Sequence, residues 1–166
     1  MCMQIRPESP GDIRAISELT TAAFTGAPHS DGTEAQIVER LRESGALLLS
    51  LVAESDTRIV GHIAFSPVTI GDHHDGWVGL GPVSVAPDIQ NAGVGASLIK
   101  AGLAQVHAMG HGGCVVLGDP GYYSRFGFAT TPGIFYPGVP PEYFMVQGFG
   151  GVCPKGEVAY HPAFTG

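Results

Sequence analysis

Residues 83–103 read VSVAPDIQNAGVGASLIKAGL, and this stretch changes character twice. The apolar alternation at 83–85 indicates a strand, which the Ala-Pro-Asp that follows brings to an end. Gly93 and Gly95 then precede apolar residues at helical spacing, so a helix is predicted over residues 94–108. The first turn of a helix leaves backbone N–H groups without partners, and glycines there give an anionic ligand close access to them.

The flanking sequence surrounds this segment with strands and helices. Further strands are predicted at 3–6, 46–53, 59–69, 77–85, 114–117, 143–147 and 158–160, and further helices at 10–24, 33–44 and 120–125. The order is β-α-α-β-β-β-α-β-α-β-β, which predicts one α/β domain over residues 1–166 with a mixed, mainly antiparallel, twisted sheet flanked by helices. The strand-helix-strand run at 77–117 predicts a parallel pair with a right-handed crossover.

Two motifs mark the predicted starts of the first two helices. Ser9 is followed by proline and then by Asp12, and Thr33 is followed three residues later by Gln36. The residues predicted to face inward are Ile13, Ile16, Leu19 and Ala23 in the first helix and Ile37, Val38 and Leu41 in the second.

The composition is that of a chain with a sizeable core and an acidic surface. Hydrophobic residues make up 44% and charged residues 14%, which excludes extended disorder. The 8 lysines and arginines are outnumbered by 15 acidic residues, for a net charge of -7. Nucleic acids and anionic membranes require clustered cations, so neither is expected as a partner.

The sequence also indicates where the protein works. No apolar run is long enough to span a bilayer, and the N-terminal residues MCMQIRPESPGD have no signal-peptide pattern. Cys2, Cys114 and Cys153 are scattered without metal-ligand spacing and are predicted to be free thiols. These features favour a cytoplasmic protein, in which Cys114 is predicted to lie in the core.

Three known phosphate-binding patterns can be compared with the glycine segment. A P-loop ends in Gly-Lys-Ser/Thr, whereas Ala96 and Ser97 follow Gly95 here. A dinucleotide-binding fingerprint has three glycines directly after a strand, but here there are only two, after a loop. The third pattern, Gln/Arg-x-x-Gly-x-Gly/Ala, matches Gln90 to Gly95.

This match and a second motif together resemble the GNAT superfamily of N-acetyltransferases. The second motif is the run LGDPGYYSRFGF at residues 117–128. The resemblance extends along nearly the whole chain and fits a bacterial branch of predicted N-acetyltransferases, as does the segment AYHPAF at 159–164. It implies a GNAT-like fold, acetyl-coenzyme A (acetyl-CoA) as the cosubstrate and no metal.

The resemblance also implies how the coenzyme is held. Backbone N–H groups of the glycine segment would surround the pyrophosphate, and the edge of the preceding strand would bind the pantetheine arm. The implied coenzyme-binding residues are Val83, Ser84, Val85, Gln90, Asn91, Ala92, Gly93, Val94, Gly95, Ala96 and Tyr123. The alternative is that the two glycines only shape a loop.

Acetyl transfer to an amine requires a neutral amine, a stabilised oxyanion and a proton for the departing thiolate. Tyr123 stands at the position of the family's tyrosine, so the resemblance assigns it as the acid; alternatively it packs beside the coenzyme. Tyr122, its neighbour, is expected to pack. Glu34, at the predicted start of the second helix, is the candidate base, and the alternative is that it only complements the helix dipole.

Other polar residues are weaker candidates. His62 lies in the middle of a predicted strand and is either a second candidate base or a structural residue. Asp119 precedes Pro120 and is expected to cap a short helix. The run Asp-His-His-Asp at residues 72–75 resembles a metal site in composition, but it is predicted to be a solvated turn.

The predicted function is acetyl transfer from acetyl-CoA to an amine through a direct ternary complex, because no cysteine lies in either motif. The alternative is a non-catalytic module that binds or senses acyl-CoA. The acceptor is expected to be an amine of a small molecule or a protein, and the loops at 25–32 and 130–141 are expected to shape its pocket. Whether the chain forms a homodimer stays open.

Overall fold

A computed structural model describes residues 3–27 and 30–165 of the chain. Cys2 and part of the loop at 25–32 lie outside the described residues. The helices are α1 (Ile13–Phe24), α2 (Glu34–Glu43), α3 (Val94–Ala108) and α4 (Pro120–Tyr123). The strands are β1 (Met3–Pro7), β2 (Leu49–Ser55), β3 (Arg58–Ile70), β4 (Trp77–Val85), β5 (Gly113–Leu117), β6 (Ile134–Phe135), β7 (Phe144–Gly148) and β8 (Gly156–Tyr160).

The strands join into one mixed sheet, in which six follow the order β1-β2-β3-β4-β5-β7. Neighbours in this row are antiparallel except β4 and β5, which are parallel and connected through α3. β8 pairs with the last residues of β3 and, on its other side, with β6. The predicted fold class and the predicted parallel pair are therefore confirmed, and the short β6 is an addition to the predicted order.

The strands β4 and β5 pair over only part of their length. Their ladder joins Trp77–Gly79 to Gly113–Val115 and then ends. Beyond it, β4 stays paired with β3 on its other side, where Val83 lies opposite Ile63. Residues 83–85 therefore have one edge with no strand partner in the described part of the chain. Such an edge offers free N–H and C=O groups to an extended ligand.

Helices cover both faces of the sheet and form the core with it. On one face, Leu98 and Ile99 of α3 belong to the same buried cluster as Phe65 of β3. On the other face, Ile16 of α1 and Val38 of α2 pack with Val52 of β2. Each large apolar side chain buried in this way stabilises the fold by about 1.5–3 kcal/mol.

The predicted bounds of β4 and α3 are confirmed to the residue, but the predicted start of β2 was wrong. Residues 46–48 do not extend the strand because Gly45 has a positive φ of 76° and ends α2. The N–H groups of Ala46 and Leu47 both bond to the carbonyl of Leu41, at 2.8 and 3.1 Å. These apolar residues cap the helix instead, as in the Schellman pattern.

Two details of the predicted helix starts were also wrong. Thr33 does not form a capping box, because its hydroxyl and its N–H both donate to Asp31. Ile13 does not face inward; it is 37% exposed, and the polar Thr20 is buried on α1. By contrast, the Ser9 N–H donates to the Asp12 carboxylate at 2.7 Å, as the first motif predicts.

Candidate active site

A cleft of about 560 Å³ lies between the end of β4 and the start of α3, and we call it the β4–α3 cleft. Its walls come from the C-terminal end of α1, from β4, from the glycine segment and from the α4 region. The residues that line it are Ala23, Phe24, Ala27, Val83, Val85, Gln90, Asn91, Gly93, Val94, Gly95, Ala96, Tyr122 and Arg125. The glycine segment and the free edge of β4 thus share one cavity.

The backbone of the glycine segment is shaped to present N–H groups. Asn91 and Gly93 both have left-handed φ angles, of 70° and 87°. Gly93 is the N-cap of α3 and has no side chain to bond the first turn. The first backbone bond of the helix is donated by Ser97 to Gly93, at 3.0 Å. The N–H groups of residues 94–96 have no backbone partner in the described part of the chain, and a helix start of this kind suits an anionic ligand.

Side-chain bonds hold the walls of this cleft in place. The Gln90 amide donates to the carbonyl of Val85 at 3.3 Å and ties the loop to the end of β4. The buried Ser84 hydroxyl donates to Thr20 at 3.3 Å and ties β4 to α1. Because Thr20 lies one turn before Phe24, the second bond positions the end of α1 over the cleft.

Tyr122 and Arg125 contribute to the wall opposite β4. A Cβ atom on Gly95 would lie 3.4 Å from the Tyr122 hydroxyl and 3.6 Å from Val85. The Arg125 guanidinium lies 4.6 Å from the centre of the Tyr122 ring, which holds a cation at the cleft. Arg125 was not a candidate from the sequence, although its position between aromatic residues of the second motif was a usable signal.

Tyr123 turns away from its neighbour and toward the core. Its ring is perpendicular to that of Tyr122, at 5.1 Å between centroids, and meets the edge of Phe128 at 6.0 Å. Burial, with smaller contributions from Tyr122 and the Cys114 thiol, raises the pKa of Tyr123 to about 12. The hydroxyl has no hydrogen-bond partner in the described part of the chain and keeps its proton. Tyr122, and not Tyr123, is among the residues that line the β4–α3 cleft.

A second cleft, of about 580 Å³, lies between α2 and β8, and we call it the α2–β8 cleft. Glu34 lines it from the first turn of α2 and accepts hydrogen bonds from the Ser30 hydroxyl at 2.9 and 3.0 Å. The remaining lining residues are Phe24, Ile37, Leu80, Gly81, Pro82, Leu117, Tyr136, Pro137, Glu157, Val158, Ala159, Tyr160, Phe164 and Thr165.

The two clefts adjoin along one edge of β4. Residues 80–82 line the α2–β8 cleft, and Val83 and Val85 line the β4–α3 cleft. Phe24 lines both. A ligand extended along the free edge of β4 in one cleft would therefore end at the other, which is the arrangement that a direct transfer between two bound molecules requires.

His62 belongs to the interior and lines neither cleft. It is fully buried, and its Nε2 lies 2.8 Å from the hydroxyl of Ser50. Ser50 bonds to Glu8, which is paired with Arg42 at 2.9 Å. Burial lowers the pKa of His62 to about 4, a change that Glu8 opposes and Arg42 reinforces. Of the two roles considered for His62, a candidate base or a structural residue, its buried position fits the structural residue.

The other candidates have ordinary roles. The Asp119 carboxylate accepts from the Gly121 N–H at 3.1 Å and caps α4, as predicted. The run at 72–75 is a largely exposed turn, and in the described residues no group of His, Cys, Asp or Glu side chains is arranged to hold a metal ion. Cys114 is buried and Cys153 is exposed, and both are free thiols.

Most of this chain matches the model of one known protein family. A family model described as an acetyltransferase (GNAT) domain matches residues 4–131. The chain belongs to the GNAT acetyltransferase family. The resemblance inferred from the two sequence motifs is thereby confirmed.

Similar proteins of known sequence or structure support the GNAT assignment over most of the chain. An uncharacterized N-acetyltransferase of Escherichia coli K12, YhbS, is 40% identical over 127 residues, which are 76% of this chain and 73% of the relative. The crystal structure of YhbS in complex with CoA has a TM-score of 0.87 at 34% identity and covers 98% of this chain and 92% of its own. A GNAT family acetyltransferase from Brucella melitensis in complex with acetyl-CoA has a TM-score of 0.88 at 50% identity and covers 98% of both chains.

Among the described residues of this GNAT protein, no helix combines the length and the apolar character that a transmembrane segment requires.

Proposed function

We propose that this GNAT protein transfers the acetyl group of acetyl-CoA directly to an amine. The observation that carries this proposal is that the two clefts adjoin along the free edge of β4, at residues 80–85. One cleft has an anion site and a strand edge, and the other has carboxylates and apolar walls. Donor and acceptor can therefore be bound at the same time.

Two relatives were crystallised with acetyl-CoA or CoA, and we assign the coenzyme of this chain to the β4–α3 cleft. The N–H groups of residues 94–96 suit a pyrophosphate, and the helix dipole favours its charge. Arg125 adds a guanidinium to the described residues that line this cleft. The free edge of residues 83–85 suits the amide groups of the pantetheine arm, which can add to the sheet like a short strand.

Tyr123 and Glu34 are the side chains proposed for proton transfer. Acetyl-CoA supplies a thioester, whose C–S bond breaks as the C–N bond forms. Tyr123 would donate the proton that the sulfur receives, and the same burial that raises the pKa of the phenol raises that of a thiol beside it. Glu34, at the α2–β8 cleft, would accept a proton from the amine, directly or through water.

We also propose that the chain is a single domain and that the protein is cytoplasmic. One sheet contains strands from Met3 to Tyr160, which supports a single domain over the whole chain. Cys114 and Cys153 are free thiols, which supports a reducing compartment and hence a cytoplasmic protein.

The experiment that tests the proposed function measures thiol release from acetyl-CoA in the presence of a panel of amines. We expect release that depends on both the protein and the amine, with an equal amount of N-acetylated product. Calorimetric binding of acetyl-CoA without release for any amine would contradict the proposal and favour a module that only binds or senses acyl-CoA.

A further inference from the structure

The charged side chains in the described lining of the α2–β8 cleft are all negative. Two carboxylates, of Glu34 and Glu157, belong to its lining. The described residues that line it include no lysine, arginine or histidine. Neither carboxylate forms an ion pair in the described part of the chain. A ligand in this cleft is therefore favoured if it carries a positive charge, and disfavoured if it also carries a carboxylate.

The other walls of this cleft are apolar and largely aromatic. The rings of Tyr136 and Tyr160 meet edge to face, with 5.4 Å between their centroids. The centroid of the Phe164 ring lies 5.2 Å from that of Tyr160. Phe24 lines the cleft from α1. Aromatic faces attract cations and also bury apolar rings, so this group suits a ligand with an ammonium group and an apolar body.

Tyr160 also lines this cleft, and its hydroxyl lacks a partner among the described residues. Its ring packs against Gly79, where any Cβ would come within 2.7 Å of it. Its hydroxyl is fully buried and has no hydrogen-bond partner in the described part of the chain. Buried hydroxyl groups in proteins are normally hydrogen-bonded, so we expect a water molecule or a ligand to supply the partner here.

We propose that the acceptor is a small primary amine with an aromatic or bulky apolar body and no carboxylate. The inference rests on the proposed function, since it assigns the α2–β8 cleft to the acceptor of that transfer. The reaction balances without a further reactant. The nitrogen of the neutral amine bonds to the acetyl carbon, the C–S bond breaks, and the sulfur keeps the bonding pair and takes one proton. Starting from the ammonium form, one further proton is released.

The test compares matched pairs of acceptors that differ only in a carboxylate. We would compare thiol release with 2-phenylethylamine and with phenylalanine, and likewise with tyramine and with tyrosine. Ethylamine serves as an amine that lacks an aromatic or bulky apolar group. We expect kcat/KM at least tenfold higher for each aromatic amine than for its amino acid, and at least tenfold higher than for ethylamine. Equal or higher values for the amino acids, or for ethylamine, would overturn the inference while leaving acetyl transfer intact.

Two variants connect this preference to the cleft. Glu157→Gln should raise the KM for 2-phenylethylamine at least threefold and reduce its advantage over phenylalanine. Tyr160→Phe should raise the same KM with little change in kcat, because it removes only the hydroxyl. Glu43→Gln, which removes an exposed acid at the end of α2, is the control and should change neither quantity. Unchanged KM values in both cleft variants would overturn the assignment of the cleft.

A binding measurement separates failure of this inference from failure of the proposed function. Calorimetric titration of 2-phenylethylamine into the protein saturated with CoA should give binding that phenylalanine does not give. If acetyl-CoA binds but no amine causes thiol release, the proposed function fails. If thiol is released with other amines while 2-phenylethylamine neither binds nor reacts, only the acceptor class is wrong.

Discussion

Tyr122 and Tyr123 are adjacent in the chain, yet their side chains have different surroundings. Tyr122 lines the β4–α3 cleft beside Gly95, whereas Tyr123 packs toward Phe128 and the core. The two hydroxyl groups should therefore affect different steps, with Tyr122 contributing to coenzyme affinity and Tyr123 to turnover.

We predict that Tyr123→Phe lowers kcat by roughly 10²–10⁴, the usual effect of losing a positioned acid, and leaves the Kd for acetyl-CoA unchanged. Tyr122→Phe is the matched control, and its main effect should be on Kd. Steady-state kinetics and calorimetry measure the two effects. The opposite result, with kcat lost in the Tyr122 variant alone, would shift the assignment by one residue; normal turnover in both variants would exclude a tyrosine acid.

Glu34→Gln tests the proposed base. A base matters most when the amine is protonated, so we predict that kcat falls mainly at low pH and that coenzyme binding is unaffected. A role limited to the helix dipole predicts only a loss of about 0.3–1 kcal/mol in the free energy of unfolding. The pH–rate profile distinguishes the two, and a profile identical to that of the parent would remove Glu34 from the mechanism.

The buried His62 predicts how stability depends on pH. Its pKa in the folded protein is about 4, below the ordinary value of 6.5, so the unfolded chain binds more protons between these values. The free energy of unfolding should therefore decrease as the pH falls from 6.5 toward 4, by about 3 kcal/mol in total at about 1.4 kcal/mol for each pH unit. Burial raises the pKa of the Glu8 carboxyl, but Arg42 and Ser50 lower it by more, so Glu8 adds a further loss as the pH falls below its ordinary value of 4.5.

Urea denaturation at pH 7 and pH 5 measures this dependence. His62→Gln, which can still donate to Ser50, should lose most of the difference in the free energy of unfolding between the two pH values. His74→Gln, in an exposed turn, should keep it. A parent protein equally stable at both pH values would show that His62 is not held neutral by burial.

At the scale of elements, the start of α3 is the feature on which coenzyme binding depends. Gly95 has an ordinary φ and room for a Cβ atom, so Gly95→Val should fold and fill the cleft with its two methyl groups. We predict that it raises the Kd for acetyl-CoA at least tenfold. Gly148→Val, at an open position outside both clefts, is the control. An unchanged Kd in a folded Gly95 variant would exclude this helix start as the coenzyme site.

Gly93 is less suitable for that test, because its positive φ gives it a second role. Any other residue there is strained by about 1–2 kcal/mol, so loss of binding in a Gly93 variant would mix two effects. The sequence could identify this glycine from its motif, but the left-handed turn became known only from the backbone.

The elements that were predicted well are those whose signals are local. The alternation in β4 and the helical spacing in α3 predicted both elements to the residue, because each signal lies within the element itself. Ala46 and Leu47 were misassigned because the partner of their N–H groups is the carbonyl of Leu41, a contact that composition does not reveal. Similarly, Glu157 and Tyr160 of the α2–β8 cleft lie far from either motif and were not candidates before the fold joined β8 to β3.

At the scale of the whole molecule, the strand β4 connects the two clefts. Its separation from β5 beyond Gly79 frees the edge that the coenzyme would use, and the next residues along that edge belong to the acceptor side. Of the two cysteines that the structure describes, neither Cys114 nor Cys153 lines either cleft, so neither is placed to carry the acetyl group between them. The arrangement therefore predicts a ternary complex, without an acetylated enzyme.

The most direct test of this central claim is the initial rate of thiol release as acetyl-CoA and a reactive amine are varied together. A ternary complex predicts double-reciprocal lines that intersect, and intact mass spectrometry should find no acetylated protein when acetyl-CoA is supplied alone. Parallel lines accompanied by an acetylated protein would indicate a ping-pong route and contradict direct transfer.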